Sequence, residues 1–171
     1  LVEAAGKRIL LDCGMIQGGA AEEARNAEPF PFDLNSIDAV VVSHAHIDHT
    51  GRLPLLVARG YRGPIHAQQA TADLLEVMLL DSASLQESDA KRSNRKRTRG
   101  EPEAEPLYTR EDVQKTLAQV RPLPYHERRQ LLPGVEVNLR DAGHILGSAI
   151  VELFADGRTL VFSGYLGPKG T

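Results

Sequence analysis

Apolar positions alternate with polar ones at both ends of the chain and recur at helical spacing in its middle. Lys7-Arg8-Ile9-Leu10-Leu11-Asp12 reads as a strand, with Leu1-Val2-Glu3 as its hairpin partner across Ala4-Ala5-Gly6. Residues 17 to 36, rich in Gly, Ala, Asn and Pro, read as a long loop with room for one helical turn. Ile37 to Ser43, built on Ala39-Val40-Val41-Val42, reads as a buried strand. A short helix is expected from Thr50 to Arg59, ended by Gly60, and a short strand from Pro64 to Ala67. From Ala70 to about Ala90 the apolar residues Leu74, Leu75, Val77, Met78 and Leu85 give the longest helix a broad face for core packing. Thr109 should cap a second helix, with Asp112 closing a capping box and Val113, Leu117 and Val120 facing inward. Beyond Pro124 the period returns to two, through Leu131-Leu132 and Val135 to Leu139. A hairpin joins Ala149–Phe154 to Thr159–Phe162 across Ala155-Asp156-Gly157-Arg158. Strands at both ends with helices between them predict an α/β (α+β) domain of sheets covered by helices.

The 171 residues suffice for one domain with a substantial core, and 42% hydrophobic with 25% charged residues is ordinary for such a domain. No apolar stretch reaches about 18 residues, so no membrane span is expected. The one cysteine rules out an internal disulfide framework and suggests the reducing cytoplasm. No secretory signal is visible, although the chain begins at Leu1 rather than Met. The net charge of −3 hides an asymmetry. Lys91, Arg92, Arg95, Lys96, Arg97 and Arg99 put six positive charges within nine residues, and without them the chain would stand at −9. Such an island is either a phosphate-contacting segment or a solvated loop, partly neutralised by Glu101, Glu103 and Glu105.

Chemistry concentrates in Ser43-His44-Ala45-His46-Ile47-Asp48-His49. Three of the six histidines fall within six positions, at the end of the buried strand. His44 and His46 share one side of an extended chain, because side chains repeat with period two. Asp48 and His49 follow where the backbone turns toward a helix starting near Thr50, so they can face a second, adjacent metal. Imidazole and carboxylate are usual zinc ligands, whereas structural zinc sites lean on thiolates. Cys13 reads as a small buried hydrophobe, and His66 and His126 as structural or surface residues. No nucleophilic triad, Gly-Lys phosphate loop or dinucleotide fingerprint competes with the metal reading.

His-x-His-x-Asp-His after a hydrophobic strand, with Leu11-Asp12-Cys13-Gly14 upstream and Ala142-Gly143-His144 downstream, resembles the metallo-β-lactamase superfamily. Gly143-His144-Ile145-Leu146-Gly147-Ser148, followed by Phe162-Ser163-Gly164-Tyr165-Leu166-Gly167, is similar to the RNA-processing branch that carries a β-CASP insertion. The resemblance implies an αββα sandwich, incomplete here. Residues 1–171 would form the N-terminal part of the domain, and the β-CASP insertion and C-terminal remainder would lie outside the chain. It implies a first zinc site of His44, His46 and His144, and a second involving Asp48 and His49. Asp48 would also be catalytic, orienting the attacking water or accepting its proton, and Asp12 would support the histidines from behind. Tyr165 departs from the pattern, standing where the family has a bridging aspartate. A phenol with a pKa near about 10 and one oxygen cannot bridge two metals as a carboxylate does, so one zinc site is expected and the second loses its bridge. The implied activity is zinc-dependent cleavage of RNA phosphodiester bonds by the full-length protein, with RNA as partner. A small-molecule metallo-hydrolase of the thioester or lactam type shares the His44–His49 motif. A non-catalytic RNA-processing scaffold is the reading that Tyr165 favours.

Overall fold

The computed structural model describes residues 1–168, so the last three positions of the expected 1–171 domain lie outside the described residues. Strands β1 (Val2–Ala4), β2 (Lys7–Leu11), β3 (Ala39–Val41), β4 (Ile65–Gln68) and β5 (Val120–Leu123) form one sheet in that order. β1 pairs antiparallel with β2, and β2 through β5 are parallel. A second, antiparallel sheet follows as β6 (Arg129–Leu132), β7 (Val135–Asp141), β8 (Ala149–Ala155) and β9 (Arg158–Phe162). Helices α1 (Ala20–Ala24), α2 (Ile47–Thr50), α3 (Leu53–Ala58), α4 (Gln69–Lys96) and α5 (Arg110–Leu117) all precede the second sheet in the chain.

Two apolar clusters define the layers. In one, Leu10, Val40, Ile65 and Ala67 of the parallel sheet meet Leu53 and Leu56 of α3, Leu75 and Leu79 of α4, and Val113 of α5. In the other, Ile9 and Val41 meet Val135, Val137, Leu139, Val151 and Leu153 of the antiparallel sheet. Alternate residues of β2 and β3 thus feed opposite cores, as the two-residue period requires. β3 is fully buried because it has a neighbour on each side and a core on each face. Each such valine contributes about 1.5–3 kcal/mol of transfer free energy. The described residues supply three layers of the αββα sandwich: helices, parallel sheet and antiparallel sheet.

Most expected elements are present, including the Thr109–Asp112 capping box and the Asp156-Gly157 hairpin turn. Asp156 and Gly157 both take positive φ, 52° and 70°, the conformation a two-residue hairpin of this hand demands. Four details differ. Val120 opens β5 instead of lining α5, because Gln119 ends that helical turn and Val120 pairs with Ile65. The expected Thr50–Arg59 helix is split into α2 and α3, and α2 begins at Ile47, so Asp48 and His49 lie in its first turn. Residues 17–36 hold α1 and two 3₁₀ turns, Arg25–Ala27 and Leu34–Ser36, rather than a single helical turn. α4 runs on to Lys96 and takes most of the basic run into the helix. Among the described residues no helix is long and apolar enough to cross a membrane.

His66, on β4, is half-buried with both ring nitrogens lacking a hydrogen-bond partner. Burial, helped by nearby Arg121, holds its pKa below the usual imidazole value. The native state therefore prefers the neutral ring, so this residue leaves stability intact above about pH 6.5 and erodes it as pH falls below that, until its folded pKa is passed. His66→Gln should flatten the stability difference between pH 7 and pH 5, measured by urea titration at each pH. An unchanged pH dependence would show that His66 does not contribute to it.

Candidate metal centre

The centre sits at the carboxyl ends of β2 and β3, where the last peptide of each strand releases its side chains from the sheet. Asp12 follows β2 in a left-handed conformation, φ 58°, which aspartate tolerates better than most residues. Its amide donates to Val41 O at 3.0 Å, and the next amides of this loop donate to α2: Cys13 N to His49 O at 2.8 Å and Met15 N to Ile47 O at 2.9 Å. Gly14 makes that contact feasible, since a Cβ there would lie 1.6 Å from Asp48 O. The Leu11-Asp12-Cys13-Gly14 segment is therefore a brace on the histidine turn.

The Asp12 carboxylate organises three groups. Oδ1 accepts from Ser43 N at 2.7 Å, and Oδ2 accepts from Ser43 Oγ and His49 Nδ1, each at 2.7 Å. A carboxylate only accepts, so the Ser43 proton points to Asp12 and Ser43 Oγ must accept from His44 Nδ1 at 3.0 Å. This chain of donors settles the His44 tautomer, with Nε2 left as a bare acceptor, and puts a proton on Nδ1 of His49, whose Nε2 is an acceptor in the neutral ring. Burial, with His49 close by, pushes His44 down to about 4 despite the opposing pull of Asp12. The hydrogen bond that His49 Nδ1 donates to Asp12 holds His49 above the usual imidazole value.

His144 arrives from the other sheet. β7 ends at Asp141, whose Oδ1 accepts from Gly143 N at 2.8 Å. Ser148 Oγ takes the His144 and Ile145 amides at 3.1 and 3.3 Å, and Tyr125 donates to Ser148 O at 2.6 Å. Ala149 N donates to Ser43 O at 2.7 Å, joining this loop to the histidine turn. Gly167 closes against it, with no room for a Cβ, which would fall 1.7 Å from Gly143 O.

The result is a cluster of three ring nitrogens. His44 Nε2 lies 3.2 Å from His46 Nδ1, and His144 Nε2 lies 3.1 Å from the same atom. All three lie within 4.8 Å of one another, the one such group of three among the described residues. A tetrahedral zinc with Zn–N of about 2.0–2.1 Å separates its nitrogens by about 3.3 Å, so the residues fit the ion. Hydrogen bonds alone fit less well, because His46 Nδ1 can donate to only one of its two neighbours. Asp48 Oδ2 lies 3.6 Å from His49 Nε2, so this pair is adjacent but adds no third ligand. Tyr165 stacks on His144, ring centroids 4.4 Å apart at 35°, and stays 58% exposed.

The structure thus gathers His44, His46 and His144, sets Asp48 and His49 beside them, and puts Asp12 behind. His66 and His126 lie outside the group. Burial raises the Cys13 thiol to about 12, which leaves it an unreactive core group. Sequence reasoning assigned no role to Ser43, Ser148 or Tyr125. The two serines carried a legible signal, small hydroxyls directly beside the motif histidine or inside its glycine-flanked loop.

A family model for the beta-lactamase superfamily domain matches residues 7–168. The chain belongs to the beta-lactamase superfamily. Among curated relatives of this superfamily member, a ribonuclease of Thermus thermophilus is 44% identical over 99% of the chain and 35% of its own length. A transcription termination factor of Methanosarcina mazei is 37% identical over 92% of the chain and 23% of its length. An RNase J-like protein of Methanocaldococcus jannaschii is 31% identical over 95% and 32%. The chain therefore spans about a third or less of these relatives, which bear out the resemblance to the RNA-processing branch. A metallo-β-lactamase of Cronobacter sakazakii with a HARLDQ motif superposes with a TM-score of 0.59 at 22% identity, over 99% of this chain and 56% of that one. That likeness shows the metallo-β-lactamase fold.

Proposed function

We propose that this beta-lactamase superfamily chain carries the metal centre of a hydrolase that cleaves RNA phosphodiester bonds within a longer β-CASP-type protein working in the cytoplasm. The observation that carries the reading is the three-nitrogen cradle of His44, His46 and His144, with two of its contacts at 3.1–3.2 Å. The relatives named as a ribonuclease and an RNase J-like protein supply the substrate class. His44, His46 and His144 would hold a zinc ion, which would supply a Lewis acid for a phosphoryl oxygen and lower the pKa of water to about 7. Asp48, half-exposed beside His49, accepts and orients a proton of the attacking water. Asp12 keeps His49 and, through Ser43, His44 in the tautomers that turn their Nε2 atoms outward. Calorimetric zinc titration, paired with cleavage of labelled RNA by the chain and by a version extended through the remaining length of the relatives, tests the proposal. Failure to bind zinc, or zinc-independent cleavage, would sink it.

A second reading, a metal-binding scaffold without catalysis, is favoured by Tyr165. Its ring lies on His144 where the family has a carboxylate, so Asp48 and His49 have no shared bridge. Tyr165→Asp should raise zinc binding from nearer one equivalent to nearer two, read by atomic absorption after dialysis. Two tightly held zincs in the parent would instead show that the bridge is dispensable.

A further inference from the structure

We propose that the C-terminal end of α4 is an RNA phosphate-binding exosite, remote from the metal centre, that adds its contacts to those of the centre on RNA long enough to reach both. This rests on the RNA reading above. α4 begins at the metal centre, where Thr71 Oγ1 donates to Gly147 O at 2.7 Å in the loop that carries His144. Arg95 is 24 residues further along the same helix, and at about 1.5 Å per residue the separation is about 36 Å.

The two ends differ in charge. Between Gln69 and Ala90 the helix carries Asp73, Glu76, Asp81, Glu87 and Asp89 and no lysine or arginine. Lys91, Arg92, Arg95 and Lys96 then follow at i, i+1, i+4 and i+5, forming one exposed stripe, with Arg97 and Arg99 just beyond the helix end. Arg92 pairs with Asp89 at 2.8 Å, and Arg97 donates to Glu101 O. Lys91, Arg95, Lys96 and Arg99 make no ion pair among the described residues.

This end of the helix is held in place rather than loose. Asn94 exchanges two hydrogen bonds with Ala104, at 2.9 and 2.8 Å. Gln86 and Glu87 accept the amides of Leu107 and Arg110, each at 3.0 Å. These bonds bind the returning chain along α4 and leave the basic stripe facing solvent. A fixed array of unpaired cations at the end of an acidic shaft suits a polyanion that touches the protein at two places and is repelled between them. At the backbone spacing of about 3.4 Å per nucleotide in a duplex strand, about 36 Å corresponds to about 11 nucleotides.

The test is fluorescence anisotropy with labelled RNAs of about 20 and about 5 nucleotides across a salt series. It compares the parent with a Lys91→Ala, Arg95→Ala, Lys96→Ala, Arg99→Ala variant whose helix content is checked by circular dichroism. On the long RNA, each lost phosphate contact should flatten the log–log salt slope by about 0.7, up to about 3 for four. On the short RNA, which reaches only one of the two places at a time, the variant should lose less affinity and less salt slope than on the long one. Equal slopes on the long RNA, or equal losses on both RNAs, would overturn the exosite while leaving the metal proposal standing. A poly-glutamate peptide that distinguishes parent from variant as strongly as the long RNA would assign the stripe to an acidic protein partner and also overturn it. No binding of either RNA by the parent would instead remove the RNA reading on which the exosite rests.

Discussion

His46→Ala should lower zinc affinity by more than about 100-fold, the upper end of what removing a mere supporting partner of a ligand costs. His46 Nδ1 is the atom that both other histidines approach, at 3.2 and 3.1 Å. Its loss leaves two nitrogens no longer linked through a common neighbour, a pair that cannot close a three-ligand site. The parent should bind nearer one equivalent than two, because the three intact ligands belong to one position and Asp48 with His49 lack a third. His126→Ala is the control, since that ring is exposed and outside the group. Calorimetry at neutral pH gives both affinity and stoichiometry. Undiminished zinc binding by His46→Ala would end the metal assignment of all three histidines.

Asp12→Ala should cost stability and zinc affinity together. The carboxylate, 10% exposed, accepts three hydrogen bonds, and its loss strands the Ser43 amide, the Ser43 hydroxyl and the His49 Nδ1–H. Hydrogen bonds to a charged group are worth about 1.5–3 kcal/mol each, but three that share one acceptor do not add. A net loss of about 3 kcal/mol is expected, or about 6–12 °C in Tm for a chain of this size. Zinc affinity should fall about 10- to 100-fold, because His44 is then free to take the tautomer that protonates Nε2. Asp12→Asn separates the two effects. Its remaining oxygen can still accept from Ser43 N, whereas its amide nitrogen cannot accept from Ser43 Oγ or His49 Nδ1. It should recover part of the stability and little of the affinity. A Tm for Asp12→Ala within about 1 °C of the parent would show that the brace contributes nothing.

Much of this centre was legible in order along the chain. A run of four buried apolar residues predicted β3, and the histidine spacing after it predicted two ligands on one side. The same two-residue period explains why Val40 and Val41 serve different cores. The Asp-Gly hairpin and the Thr109 capping box followed from local backbone chemistry, which depends on few neighbours. These features come from interactions within a handful of residues, and the local sequence is enough to determine them.

What needed the tertiary structure is every relation across long sequence separations. His144 meets His46 across 98 residues only because the loops after β3 and β7 are tied by Ala149 N to Ser43 O. Ser43 became a relay between Asp12 and His44, a role that depends on which atom of Asp12 still had a free lone pair. Val120 went to β5 because parallel pairing with Ile65 outweighed its helical phase. Tyr165 could be read as a departure at a ligand position, but not as a ring laid on His144. The basic run was either a loop or a contact surface until α4 was seen to carry it. Sequence determined the residue types and their local geometry. Packing between the two sheets decided which histidines meet as a three-nitrogen cluster, and the length of α4 decided how far the positive charge stands from it.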